Sequence, residues 1–166
     1  MSRFLLMRVA EEHSIVVSFE PKIFPDWNGS GCHTNYSTKT MRAGTGGMKY
    51  IEDMMTKFEA KHKTHMTLYG EDNDQRLTGI HETSSFNKFS YGVGNRAASF
   101  RIPTQVRHDN GKGYIEDRRP ASNIDAYLVG AIIADTSILD KSLAEPMVTH
   151  HSKYVEHLKN THVEKC

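Results

Sequence analysis

The chain has 166 residues, the length of one domain, with 37% hydrophobic and 25% charged residues, a balance typical of soluble globular proteins. Its 21 basic and 20 acidic side chains leave a formal charge of +1, so no global field favours nucleic acid or an anionic membrane, and an anion must be met by a local cluster. No apolar run reaches the ~20 residues that a spanning helix needs. The two cysteines, Cys32 and Cys166, make neither a disulfide framework nor a zinc spacing, which points to a reducing compartment, the cytoplasm.

The opening MSRFLLMRVA has the arginines and apolar residues of a targeting peptide, but Glu11 and Glu12 follow at once and no small-residue cleavage site is present. Phe4, Leu5 and Val9 fit one face of an ordinary helix. Ser14 to Phe19 is a β-branched run before Pro21 and Pro25, and reads as a strand entering a loop. The loop DWNGSG feeds a segment, Cys32 to Thr38, whose alternation places His33, Asn35 and Ser37 on one face of a strand. Met48, Ile51, Met55 and Phe58 recur at steps of three and four, predicting an amphipathic helix over 48–62. Gly44, Gly46 and Gly47 before it lack the Gly-Lys-Ser/Thr ending of a phosphate loop and read as a turn.

From Gly70 to Asn95 the chain is polar, glycine-punctuated and without a clear period, which inside a domain suggests a functional loop. RAASFRIP and GYIEDRRP follow as strands. In the second, alternation sends Tyr114, Glu116 and Arg118 to one face and Ile115, Asp117 and Arg119 to the other. In the first, Arg96 and Arg101 differ by five, so a flat strand points them oppositely and a bend is needed to bring them together. Ser122 or Asn123 is the expected N-cap of a helix carrying Ile124, Leu128, Ala131 and Ile132. Residues 140–166 form a divergent polar tail with a thin apolar stripe, Tyr154, Val155 and Leu158. Its His150, His151 and His157 offer metal-type ligands, against the plainer reading of a solvated helix end.

The polar loops and strands gather Asp26, His33, Glu82 and Glu116 with Arg76, Arg96, Arg101 and Arg118. Carboxylate and imidazole hold a divalent cation, and guanidinium forks neutralise phosphate, the needs of phosphoryl transfer. A surface salt-bridge network is the structural alternative.

Four motifs, WNGSGCHTNYST, RLTGIHETS, NRAASFRIP and GYIEDRRPASN, follow one another as they do in eukaryotic-type glutamine synthetases. The chain resembles that family from about Arg3 to Leu139, so 1–139 is expected to be the C-terminal part of the catalytic domain. The resemblance implies an α/β (α+β) fold with a curved, mostly antiparallel sheet backed by helices. It implies ATP-dependent ligation of ammonia to glutamate through a γ-glutamyl phosphate, with Mg2+ or Mn2+, in an enzyme that is a homo-oligomer at full length. His33 and Glu116 are then metal ligands. Trp27, Asn28, Gly29, Arg76 and Arg118 bind glutamate, and Asn35, Ser37, Arg96, Arg101 and Tyr114 bind ATP. Glu82 and Arg96 serve catalysis, Glu82 on a loop closing over glutamate. Each has a plainer reading: a core histidine for His33, a turn glycine for Gly29, a core aromatic for Trp27, and a capping or surface glutamate for Glu82.

The family's chains also carry a smaller N-terminal domain and further metal-binding glutamates, which this sequence lacks, and the loop at Asp26 is one residue shorter than the family's pattern. A non-catalytic structural or interaction protein that keeps the scaffold is therefore the rival reading.

Overall fold

The computed structural model describes residues 1–80, 83–139 and 144–163, with no side chains given at 144, 145 and 157–163. Glu82 and Cys166 lie outside the described residues. Four three-residue strands, β1 (Thr34–Tyr36), β2 (Tyr91–Val93), β3 (Phe100–Ile102) and β4 (Ile115–Asp117), form one mixed sheet in the order β1-β4-β3-β2. β4 pairs antiparallel with β1 and with β3, while β2 joins β3 in parallel.

Register follows from the pairs Asn35↔Glu116, Arg101↔Glu116 and Gly92↔Arg101, which set Asn35, Glu116, Arg101 and Gly92 in one row on one face. The adjacent rows put Thr34, Asp117, Phe100 and Tyr91, then Tyr36, Ile115, Ile102 and Val93, on the opposite face. The alternation read for GYIEDRRP therefore appears in β4. All three β4 residues are buried, because this strand lies inside the sheet and is covered on both faces.

The apolar face is closed by α2 (Lys39–Ala43), α3 (Gly47–Ala60), α4 (His62–Leu68) and α6 (Ala126–Ala134). Ile51, Met55 and Phe58 of α3 are fully buried, and the Phe58 ring stands 4.6 Å from that of Phe100. Full burial of each side chain is worth about 1.5–3 kcal/mol. The expected helix over 48–62 thus forms, but it ends at Ala60 and His62 starts α4. Short α2 was not expected. Its Thr38 hydroxyl accepts from Met41 N, and Gly44 closes it at φ +73°, so the glycines do form a turn.

Three expectations are corrected. Residues 14–19 form no strand, since no neighbouring strand takes up their hydrogen bonds, and Val16 is 93% exposed. The helix in the opening segment exists, α1 (Ser2–Glu12), yet Phe4, Leu5 and Val9 stand in solvent and only Ala10 is buried. The N-cap of α6 is Asp125, directly before the first helical residue, whose side chain accepts from Tyr127 N and Leu128 N, while Ser122 and Asn123 lie too far upstream and donate to Phe19 O and Glu71 O. α6 runs on into a π-helical turn, Asp135–Leu139, with Asp135 fully buried against Lys61 Nζ at 3.2 Å. A short helix α5 (Thr104–His108) follows Pro103, and α7 (Ala144–Val163) occupies most of the tail, where Met147 and Val148 pack against the core.

Candidate functional site

Glu116 is the centre of the polar face. It is 6% exposed, and a carboxylate so buried must be met by cations or donors. Arg101 Nε on β3 lies 2.6 Å from Oε2, and Arg118 Nη1, two residues along, lies 3.3 Å from the same oxygen. His33 Nδ1, just before β1, sits 3.2 Å from Oε1. Burial first, and then the charge of Arg118, lower the His33 pKa below its ordinary value of 6.5, outweighing the pull of Glu116. The imidazole is therefore neutral at pH 7 and donates its Nδ1 proton to the carboxylate.

Beside this pair opens a cleft of about 290 Å³, lined among others by Asn28, Gly29, His33, Arg76, Arg96 and Arg118. Arg76 is held from behind: Nε donates to Asn73 Oδ1 at 3.0 Å and Nη2 to Arg119 O at 2.6 Å. Further Nη2 contacts reach the carbonyls of Arg118 and Pro120. Burial, followed by the like charge of Arg118, brings its pKa down to about 10, so it stays charged at neutral pH. A Cβ on Gly31 would stand 2.8 Å from Arg76 Nη1 and 3.2 Å from His33 Cδ2, and one on Gly29 would run into Arg76 Cγ. Both glycines are required by close approach to the Arg76 side chain, Gly31 at the guanidinium and Gly29 at the stem.

The structure thus gathers His33, Glu116, Arg101 and Arg118 into one cluster and adds Asn28, Gly29, Arg76 and Arg96 around the cleft. Ile80 and Thr83, the described residues on either side of His81 and Glu82, also line it. Other expected residues do not line the cleft. Trp27 is 70% exposed and leans on Phe24 at 5.4 Å, so it is not a core aromatic. Asn35 is exposed on β1. Ser37 spends its hydroxyl on Gly113 O at 2.6 Å, and Tyr114 is 39% exposed beyond the start of β4. Arg96 precedes β3 in a turn and lines the cleft, whereas Arg101 lies on β3 beside Glu116. Sequence reasoning missed Lys22, which lines the cleft with no signal to mark it, and Asn73, hidden in the polar run EDND.

A divalent cation of the magnesium class takes about six oxygen or nitrogen ligands. Among the described residues no three His, Cys, Asp or Glu side chains converge, but the His33–Glu116 pair is chemically suited to such an ion. One imidazole, neutral at pH 7, and one carboxylate lie 3.2 Å apart, a donor pair that would suit such an ion. They supply two ligands, part of a site.

No protein-family model matches the chain. It is similar to curated proteins named glutamine synthetase: 58% identical over 142 residues to that of Agaricus bisporus (85% of this chain, 40% of the relative). The identity is 60% over 137 residues to that of Schizosaccharomyces pombe (82% and 38%) and 58% over 149 residues to that of Yarrowia lipolytica (87% and 40%). The resemblance carried by the four motifs is borne out. The chain spans about two-fifths of the length of the curated relatives it matches.

Proposed function

We propose that this chain, a partial relative of the glutamine synthetases, forms the C-terminal part of the catalytic domain over residues 1–139 and supplies one wall of a site joining ammonia to glutamate at the expense of ATP. The observation that carries the reading is the cluster of His33, Glu116, Arg101 and Arg118 on the face of a sheet that such a domain would curve around its substrates.

Glutamate's carboxylate is a poor electrophile, so a γ-glutamyl phosphate is formed first and ammonia then displaces phosphate from it. Arg96 and Arg101 neutralise the charge spreading over the transferred phosphoryl group. Arg118 and the outward edge of Arg76 draw in and orient glutamate's carboxylates, with Asn28 and Gly29 beside them and Trp27 at the rim. Asn35, Ser37 and Tyr114, further along the face, bound the nucleotide's side. His33 and Glu116 hold one Mg2+ or Mn2+, which when bound neutralises phosphate oxygens. Glu82 attracts ammonium and takes up its proton while its loop keeps water from the acyl phosphate. The working enzyme is a cytoplasmic homo-oligomer. With only two metal ligands from the described residues, the 166-residue chain by itself turns over little.

A chimaera tests the reading: the matching section of the Schizosaccharomyces pombe enzyme is replaced by this chain, and ADP release dependent on glutamate and ammonia is measured. Activity is expected, with its loss in Glu116→Ala. A folded chimaera with no glutamine formation would leave the scaffold reading, a non-catalytic interaction protein, in its place.

A further inference from the structure

Behind the cleft, on the opposite face of β4, runs a chain of polar groups that the proposed chemistry does not use. Arg119 is fully buried and grips Asp117 with a fork, Nε to Oδ1 at 2.9 Å and Nη2 to Oδ2 at 2.8 Å. Its guanidinium lies against the rings of Tyr69, Phe89 and Phe100, with centroids at 5.1, 5.5 and 4.8 Å. Nη1 donates to His62 Nδ1 at 3.0 Å, so the His62 proton sits on Nε2 and goes to Phe86 O at 3.0 Å. On the other side Tyr69 O–H donates to Asp117 Oδ2 at 2.7 Å, its oxygen accepts from His65 Nδ1 at 2.7 Å, and His65 Nε2 accepts from Thr136 Oγ1 at 2.8 Å. The tautomers of both histidines follow from these bonds.

Stability alone does not account for this. A buried ion pair is often matched or exceeded by apolar residues of the same volume. What the fork adds is direction, since two parallel hydrogen bonds fix both side chains and with them the backbone of 117–119. That backbone carries the cleft. Glu116 and Arg118 alternate with Asp117 and Arg119 along it, and Arg119 O accepts both Arg76 Nη2 at 2.6 Å and Asn73 Nδ2 at 2.8 Å. We infer that Arg119 is a positioning residue for the cleft: from the buried side of the sheet it sets where Glu116, Arg118 and Arg76 stand, touching neither substrate nor cation. The metal-binding consequence rests on the proposed role of His33 and Glu116, whereas the geometric one does not.

Arg119→Lys keeps the charge and removes the fork and the bond to His62. In the full 166-residue chain it is expected to weaken Mn2+ binding at least tenfold, on the scale at which residues holding metal ligands from behind act. It should also shift the side-chain Nε–Hε NMR signals of Arg76 and Arg118 at a temperature where circular dichroism shows the variant folded. Tyr69→Phe, which removes the hydrogen bonds to Asp117 and from His65 and keeps the ring, is expected to do the same more weakly, and decides the matter by the same two readings if Arg119→Lys does not fold. A purely structural Arg119 lowers the melting temperature and leaves both readings at their wild-type values, and that result overturns the inference. If the wild-type chain takes up no Mn2+, the metal assignment of His33 and Glu116 falls, and the arginine signals alone decide for or against Arg119.

Discussion

Glu116 and Asp117 are neighbours in sequence, both buried carboxylates paired with arginine, and they differ in what surrounds them. Asp117 is sealed: Arg119 and Tyr69 take its oxygens, rings cover the guanidinium, and both residues of the ion pair are fully buried. Glu116 is met by two arginines and a histidine, but Arg101 and His33 are about one-third exposed and the cleft opens beside them. One pair is closed upon itself. The other is over-supplied with positive charge and faces solvent, as a site for anions must. The comparison teaches that residue type does not separate a structural ion pair from a binding one, whereas the number of partners left accessible does.

The sharpest way to break this contrast is to remove each carboxylate in turn. Asp117→Ala leaves Arg119 charged and buried without its partner, and should lower the unfolding free energy by about 3–5 kcal/mol in a urea titration. A loss below about 1 kcal/mol would mean that the inner pair is not sealed as described. Glu116→Ala should cost less than Asp117→Ala, since Arg101 and His33 can turn to water. It should instead weaken Mn2+ binding by roughly 10- to 100-fold or more. Equal destabilisation by the two alanines would erase the distinction between the faces.

A third change touches the open face through backbone. Gly31→Ala puts a methyl group 2.8 Å from Arg76 Nη1, and overpacking of this kind costs about 1–3 kcal/mol. Because Arg76 is tied behind by Asn73 and the carbonyls of 118–120, it cannot simply swing away. Weakened binding of the anion pyrophosphate is expected together with the lower melting temperature. Unchanged pyrophosphate affinity would show that Arg76 does not serve the cleft.

Much of this was legible beforehand, for identifiable reasons. Period-two alternation in GYIEDRRP assigned Glu116 and Arg118 to one face and Asp117 and Arg119 to the other, because a strand leaves a side chain no alternative. The three-and-four spacing of α3 foretold its buried residues Ile51, Met55 and Phe58 for the same geometric reason. What failed depended on distant partners. Ser14 to Phe19 has strand composition but no adjacent strand, and β propensity counts for little without one. β2 was hidden in a glycine-punctuated loop because three residues are too few to show a period. Asp125 rather than Ser122 caps α6 because the helix begins only at Ala126, and the residue directly before the first turn is the one whose side chain reaches its free amides. The polar chain of Thr136, His65, Tyr69, His62, Asp117 and Arg119 comes from three separate segments, and only the fold assembles it.

The least conspicuous effect at neutral pH concerns the histidines of the two faces. Burial, and then the charge of Arg119, lower the pKa of His62 from 6.5, and the same causes hold His65 well below that value. His33 on the open face is lowered too, by burial and Arg118. In each case the unfolded chain binds a proton more readily than the folded one, so stability rises with pH through this range. It is at its plateau above about pH 6.5, the ordinary value of histidine, and falls as the pH drops from there toward the lowered folded values. The inner pair should dominate the fall, because protonating His62 at Nδ1 sets a second positive charge against Arg119 Nη1 and breaks that bond, while a second proton on His65 Nε2 displaces the donor Thr136. His33 gains a charge beside Glu116, which compensates part of the cost. Urea titrations between pH 7.5 and 5.0 should therefore show a slope that flattens in His65→Gln and persists largely intact in His33→Gln. A slope abolished by His33→Gln alone would place the acid-sensitive group on the open face and reverse the contrast between the two sides of β4.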